Sequence, residues 1–227
     1  MLWHPRILGE GGAAAEAASA GEGVGTDMPD RLSIVGIGGT TSPRSSTEQA
    51  LGLALAAAEA EGAVVTMFDG PFLAALPHYA PGAVAGSDEA KRLVEAVRGA
   101  HGLIFASPGY HGSISGLVKN AIDYIEETAK DARVYLDGLP VGLIVTAYGW
   151  QATGSTLATL RSIVHALRGW PTPLGAAIRS TSGMFQDGQC RDEAAASQLD
   201  LVGRQVVEFA RLRRAAPSIL STGPVEE

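Results

Sequence analysis

The chain has 227 residues, 46% of them hydrophobic and 18% charged, with a formal net charge of −7. That length holds one α/β domain with extensions, and the acidic balance excludes nucleic acid and an anionic membrane surface as main partners. Cys190 is the only cysteine, which excludes an internal disulfide and a thiol metal cluster and suits a reducing cytoplasm; no apolar run reaches the length of a membrane span.

The first thirty residues stand apart. Gly9 to Gly25 is almost entirely Ala, Gly, Glu and Ser without apolar periodicity, so it buries too little surface to offset its ordering entropy. A disordered extension is predicted over 1–30. It lacks the basic start and apolar centre of a secretion signal, and Met28 is a candidate translation start. From Leu32 the pattern alternates. Leu32–Gly38 reads as a first strand and Thr47–Glu61, rich in Ala and Leu, as a helix. Ala63–Phe68 is a second strand, closed by Asp69-Gly70-Pro71 and followed by a long connection to Ser87. Ser87-Asp88-Glu89 caps a helix to about Ala100, and Gly102–Ala106 is a third strand. Leu117, Val118, Ala121, Ile122 and Ile125 form one helical face. Pro140–Thr146 is a fourth strand, and its loop, 147–154, precedes a helix with Leu157, Leu160, Val164 and Leu167 at helical spacing. Leu174–Ile178 is a weaker fifth strand. A final helix runs from Asp192 to Leu212, leaving a flexible tail over 213–227.

Strands separated by helices predict an α/β fold: a parallel sheet covered on both faces in a three-layer sandwich, with right-handed crossovers. In the order 2-1-3-4-5 the topological switch lies beside strands one and three, and ligands bind there, outside the carboxyl ends. The loops after those strands carry the chemistry. Thr40-Thr41-Ser42-Pro43-Arg44-Ser45-Ser46-Thr47 is dense in hydroxyls and holds one arginine. Helix-start N–H groups, the hydroxyls of Ser42, Ser45, Ser46 and Thr47, and the forked Arg44 guanidinium suit a phosphate monoester; an ordinary Ser/Thr turn with a helix cap is the plainer alternative. Ser107-Pro108-Gly109-Tyr110-His111-Gly112-Ser113 suits a flat ring. Together the two loops describe a mononucleotide site, with FMN the best candidate. Other phosphate chemistries fit worse. There is no Gly-x-x-x-x-Gly-Lys-Ser/Thr run, Gly36-x-Gly38-x-x-Thr41 lacks the third glycine of the dinucleotide fingerprint, no cysteine stands in the first loop, and Ser107-Pro108 replace the aspartate of a receiver domain.

Pro108 to Asp123 resembles the Pro-x-Tyr-x-x-x-x-x-Gly-x-Leu-Lys-Asn-x-Ile-Asp signature of the NADPH-dependent FMN reductase family, and Ser42-x-Arg44-x-x-Thr47 resembles its Gly-Ser-x-Arg-x-x-Ser phosphate loop. The resemblance extends in order from about Arg31 to Arg211. Thr41 replaces the loop glycine, Ser115 a common proline and Val118 a leucine. The resemblance implies a flavodoxin-like FMN-binding domain over 31–212, usually in a homodimer or homotetramer that completes the site with a neighbouring subunit. By position, Ser42, Arg44, Ser46 and Thr47 would hold the phosphate. Pro108, Gly109, Tyr110 and His111 would lie against the isoalloxazine, and Thr146, Tyr148, Gly149 and Gly154 would match the third flavin-contacting loop. The flavin carries the hydride chemistry, so no triad is needed; His111 is the one candidate for a direct chemical role. The expected activity is transfer of hydride from NADPH or NADH to bound FMN and of electrons onward to a flavin, quinone or similar small acceptor. Two rivals remain at this point: a dehydrogenase of a small biosynthetic intermediate such as 2-amino-4-deoxychorismate, its pocket shaped by Pro77, His78, Tyr79 and Pro81 with Arg179 facing a substrate acid, and a flavodoxin-type electron carrier. Asn120 is expected to support the loop, Lys119 and Asp123 to pair on the surface, and Cys190 to have no role.

Overall fold

The computed structural model describes residues 31–186 and 188–216. The extension predicted over 1–30 lies outside them, as do residues 217–227. The elements are β1 (Ser33–Gly38), α1 (Ser46–Ala60), β2 (Val64–Phe68), α2 (Gly70–Ala75), α3 (Asp88–Gly99), β3 (Gly102–Tyr110), β4 (Ser113–Ile114), α4 (Gly116–Asp123), β5 (Pro140–Ala147), α5 (Trp150–Ala166), β6 (Trp170–Arg179), β7 (Phe185–Gln186), β8 (Gln189–Cys190) and α6 (Glu193–Ala215).

The long strands are parallel and lie in the order β2-β1-β3-β5-β6. Counted among themselves they follow the expected 2-1-3-4-5. The difference is a sixth, two-residue strand: β4 folds back antiparallel on the end of β3, pairing Gly109 with Ile114 and Tyr110 with Ser113. Side chains alternate across a strand, so each central strand feeds two cores. Val35, Ile37, Leu103, Phe105, Val141, Leu143 and Val145 pack with α3, α4 and α5 on one face. Ile34, Ile104, Ala106, Ile144, Ala176 and Ile178 pack with α1 and α6 on the other. Both faces are therefore dry, and each fully buried Ile, Leu or Phe contributes roughly 1.5–3 kcal/mol. α1 and α6 pack closely because a small residue allows it: a Cβ on Gly203 would lie 2.1 Å from the Ala54 carbonyl oxygen.

Several boundaries differ from the expectation. The connection after β2 holds α2, whose first turn is capped by Asp69 Oδ1 accepting from Phe72 N at 3.0 Å, so Asp69-Gly70-Pro71 opens a helix rather than only a turn. The third-loop segment 147–154 is helical from Trp150 onward. β6 begins at Trp170 rather than Leu174. α6 continues to Ala215, where the sequence reading ends the domain at 212. Among the described residues no helix is long and apolar enough to cross a membrane.

Candidate active site

The first loop leaves β1 at Gly38 and is held by its neighbours. Gly70 at the start of α2 packs so closely on it that a Cβ there would lie 1.7 Å from the Thr40 carbonyl oxygen. Thr40 Oγ1 accepts from Ser42 N at 3.1 Å. Arg44 adopts φ +52, a left-handed conformation that costs a side-chain-bearing residue, and its carbonyl accepts from Gln49 Nε2 at 2.7 Å. Ser45 caps α1 by accepting from Glu48 N at 3.2 Å. The first intrahelical bond is Gln49 N to Ser45 O, so the N–H groups of Ser46 and Thr47 have no partner within the helix and are left to a ligand or water. Ser42, Arg44, Ser45 and Ser46 are accessible, and the Arg44 guanidinium makes no ion pair among the described residues. Thr47 is different. It is 2% exposed, and its Oγ1 lies 2.6 Å from Thr146 Oγ1, itself 4% exposed. These two hydroxyls satisfy one another and tie the start of α1 to the end of β5.

The second loop is a hairpin. His111 at φ +51 and Gly112 at φ +85 occupy its two centre positions between paired Tyr110 and Ser113, the signs a type I′ turn requires. Pro108 and Gly109 lie within β3 itself. Gly109 faces α5, where a Cβ would come within 3.0 Å of Thr156 Oγ1 and 3.2 Å of the Ala152 carbonyl oxygen. Thr156 also donates to Ser113 O at 3.2 Å, which fastens the hairpin to α5. Beneath it, buried Ser107 Oγ donates to Pro108 O at 2.9 Å and accepts from Ser115 N at 3.0 Å. Ser115 in turn caps α4, accepting from Val118 N at 3.2 Å. A proline at 115 would lack the N–H that Ser107 receives, so this departure from the family pattern has its own bonding.

Thr146 is the penultimate residue of β5 and lies inside the sheet, while Tyr148 is 89% exposed and Gly149 precedes α5. Gly154 lies inside α5, a turn beyond the loop, with open space beside it. Tyr110 and Trp150 are 53% and 64% exposed, and the Arg179 guanidinium lies 5.8 Å from the Trp150 ring centre. The fold thus brings Ser42–Thr47, Pro108–His111 and Thr146–Gly149 to the carboxyl ends of the adjacent strands β1, β3 and β5. The 70–87 connection packs on the first loop through Gly70 and is tied to α4 further along. Asn120 clamps that connection to α4, accepting from Tyr79 N at 2.8 Å and donating to Pro77 O at 2.9 Å, and the Tyr79 and Tyr124 rings meet edge to face. Lys119 and Asp123 pair at 2.5 Å on the surface.

Glu48 carries no signal in the sequence yet stands at the foot of the first loop. Its Oε2 is buried without a partner among the described residues. Burial, and next the neighbouring Asp69 carboxylate, raise its carboxyl above the ordinary glutamate value. Cys190 is shifted upward chiefly by burial, the opposite of an activated thiolate, and among the described residues no group of His, Cys, Asp and Glu has the arrangement of a metal site.

The profile of the NADPH-dependent FMN reductase family matches residues 32–182. The chain is similar to an FMN-dependent NADPH-azoreductase of Staphylococcus haemolyticus (strain JCSC1435), 39% identical over 83 residues, which are 37% of this chain and 40% of that protein. It therefore spans about 40% of the length of the curated relatives it matches. Among solved structures, FerB, a flavoenzyme NAD(P)H:(acceptor) oxidoreductase from Paracoccus denitrificans, superposes with a TM-score of 0.66 at 19% identity, over 80% of this chain and 98% of that one. The apo form of an NADH:FMN oxidoreductase does so with a TM-score of 0.61 at 22% identity, over 86% and 97%. At those identities the likeness establishes the fold, which is flavodoxin-like.

Proposed function

The chain belongs to the NADPH-dependent FMN reductase family, and from that premise we propose that it binds FMN across the ends of β1, β3 and β5 and uses NADPH to reduce a small planar acceptor such as a flavin, a quinone or an azo compound. The observation that carries this reading is the convergence of three unlike loops at one sheet edge, joined by the buried Thr47–Thr146 contact. One is built for an anion and the other two present backbone and aromatic surface.

The donor set fits the cofactor. The N–H groups at the start of α1, with the hydroxyls of Ser42, Ser45 and Ser46 and the Arg44 guanidinium, address the phosphate. Thr47 and Thr146 hold the two loops in register from below. Pro108, Gly109 and Tyr110 give a surface for one face of the ring, and Gly109 lets α5 pack closely on the hairpin. His111, Tyr148 and Gly149 would meet the rim of the ring. When bound, FMN supplies the hydride-accepting centre that no side chain here provides. The protein's share is alignment: a rigid shelf on which the nicotinamide can approach within near-attack distance. Exposed Tyr110, Tyr148 and Trp150 support two further points, stacking of a flat acceptor and self-association into a homodimer or homotetramer over the same edge. A single cysteine without a disulfide suits a cytoplasmic setting.

The test is the absorbance spectrum of the purified full chain with added FMN, before and after NADPH under anaerobic conditions. A bound flavin spectrum that NADPH bleaches, followed by reoxidation on adding a quinone or azo dye, is expected. A chain that remains colourless and does not bind FMN overturns the reading.

A further inference from the structure

A second wall faces the start of α1. A cleft of about 220 Å3 runs between Ser46, Gln49 and Tyr148 on one side and the turn Ser180-Thr181-Ser182 on the other. It is smaller than the roughly 300–1,000 Å3 of a pocket that encloses a whole drug-sized ligand, so it suits a phosphate and the first atoms of its chain rather than a flavin ring. None of the described residues that line it is acidic. Its floor holds an unmet polar group: Ser180 is 9% exposed, and its Oγ is buried without a hydrogen-bond partner among the described residues. An orphaned buried hydroxyl is costly, and rotation about χ1 brings it to donate to whatever fills the cleft that its residue lines. The turn is well held. Ser180 N donates to Ala147 O at 2.8 Å, Met184 N to Thr181 O at 3.2 Å and Arg191 N to Met184 O at 2.8 Å, while Gly183 supplies the positive φ of +76.

We propose that the Ser180–Gly183 turn is the second half of the phosphate site: the Ser180 hydroxyl donates to the phosphate monoester of FMN from the side opposite the Ser42–Thr47 loop. The proposal rests on the FMN reading above and extends it to a segment after β6 that the family's loop pattern leaves out. The anion then meets the open N–H groups of α1 from one side and the unmet hydroxyl from the other. The 2′-phosphate of NADPH shares this chemistry, and the experiment separates the two.

Full-length parent, Ser180→Ala, Ser182→Asp and Arg44→Ala are titrated by flavin fluorescence with FMN and with riboflavin, and KM is measured for NADPH and NADH. Ser180→Ala is expected to weaken FMN about ten-fold, the scale of one charge-assisted hydrogen bond, with riboflavin unchanged. Ser182→Asp, at an exposed position, is expected to do the same by repulsion. FMN affinity at the parental level in both serine variants overturns the proposal. If Arg44→Ala alone then loses FMN, the first loop holds the phosphate unaided and the FMN reading stands. If no variant discriminates FMN from riboflavin, both fall. A rise in KM for NADPH but not NADH, with FMN binding intact, assigns the cleft to the dinucleotide and likewise overturns the proposal.

Discussion

Arg44 combines a strained backbone with a charge that has no ion-pair partner among the described residues. A residue in the left-handed region is tolerated only where its surroundings hold it, and here Gln49 holds its carbonyl. Arg44→Ala should weaken FMN by on the order of 1.5–3 kcal/mol, the worth of a hydrogen bond to a charged group, and leave riboflavin unchanged in the same fluorescence titration; equal loss of both ligands would place the effect in the loop's conformation rather than on the phosphate. Glu48 makes the complementary case. Its folded pKa is raised above its unfolded value, by burial first and by Asp69 second. The folded state therefore binds the proton more tightly, and stability is greatest below the unfolded pKa and falls as pH climbs through the folded one. Glu48→Gln removes that loss. Its thermal melting point should exceed the parent's at neutral pH and converge on it in acid. Parallel curves across the pH range would show that Glu48 ionises as freely folded as unfolded.

The β3–β4 hairpin is the element on which the ring-binding surface depends. Its two centre residues need positive φ, which glycine adopts freely and a β-branched residue resists. Gly112→Val should therefore cost about 1–3 kcal/mol of stability and weaken FMN, whereas His111→Gly relaxes the turn and should preserve both. Denaturant unfolding and flavin titration read the two effects; a fall in turnover in His111→Gly with FMN affinity intact would assign the imidazole a direct part in the reaction. Much of this architecture was legible beforehand. Strands such as Ser33–Gly38 and Pro140–Ala147 are apolar on both faces, and α3 announces itself with Ser87 and two first-turn acids. What stayed hidden depended on partners distant in the chain or on signals with two meanings. Asp69-Gly70-Pro71 reads equally as turn or helix start. Pro171 and Pro173 look like breakers, yet β6 is an edge strand, where a missing N–H is tolerated. α5 starts without a side-chain cap and carries Thr153 and Gly154 in its first turns, so its first turn resembles a loop. The phosphate-suited loop was visible from its hydroxyls and arginine. The Thr47–Thr146 contact and the orphaned Ser180 exist only once strands far apart in sequence lie side by side, and the Ser107–Ser115 bond only once the hairpin folds back.

Across the whole molecule the sheet has two unlike ends. The carboxyl end gathers the left-handed Arg44 and His111, the exposed Tyr110, Tyr148 and Trp150, and the loops assigned to FMN. The amino end is stitched by side chains that reach helix termini. Arg133 Nη2 donates to Val97 O and Arg98 O, both at 2.7 Å, and so cements the C-terminus of α3, where a cation also favours the helix dipole. Its charge is not held cheaply: burial first, then the nearby Arg213 cation, lower its pKa, and Nη1 is buried without a partner among the described residues. Arg133→Met keeps the length of the apolar stem but leaves the Arg98 carbonyl without its side-chain donor. It should lose about 0.5–1.5 kcal/mol of unfolding free energy, the net worth of a typical hydrogen bond, offset in part by removal of the like-charge pair. FMN affinity should not move, because the rigid β3 and β5 separate this end from the loops. Denaturant melts and flavin titrations on one variant check both halves. A drop in FMN affinity alongside the drop in stability would mean that strain at the amino edge travels through the strands to the site, and that scaffold and site are one mechanical unit.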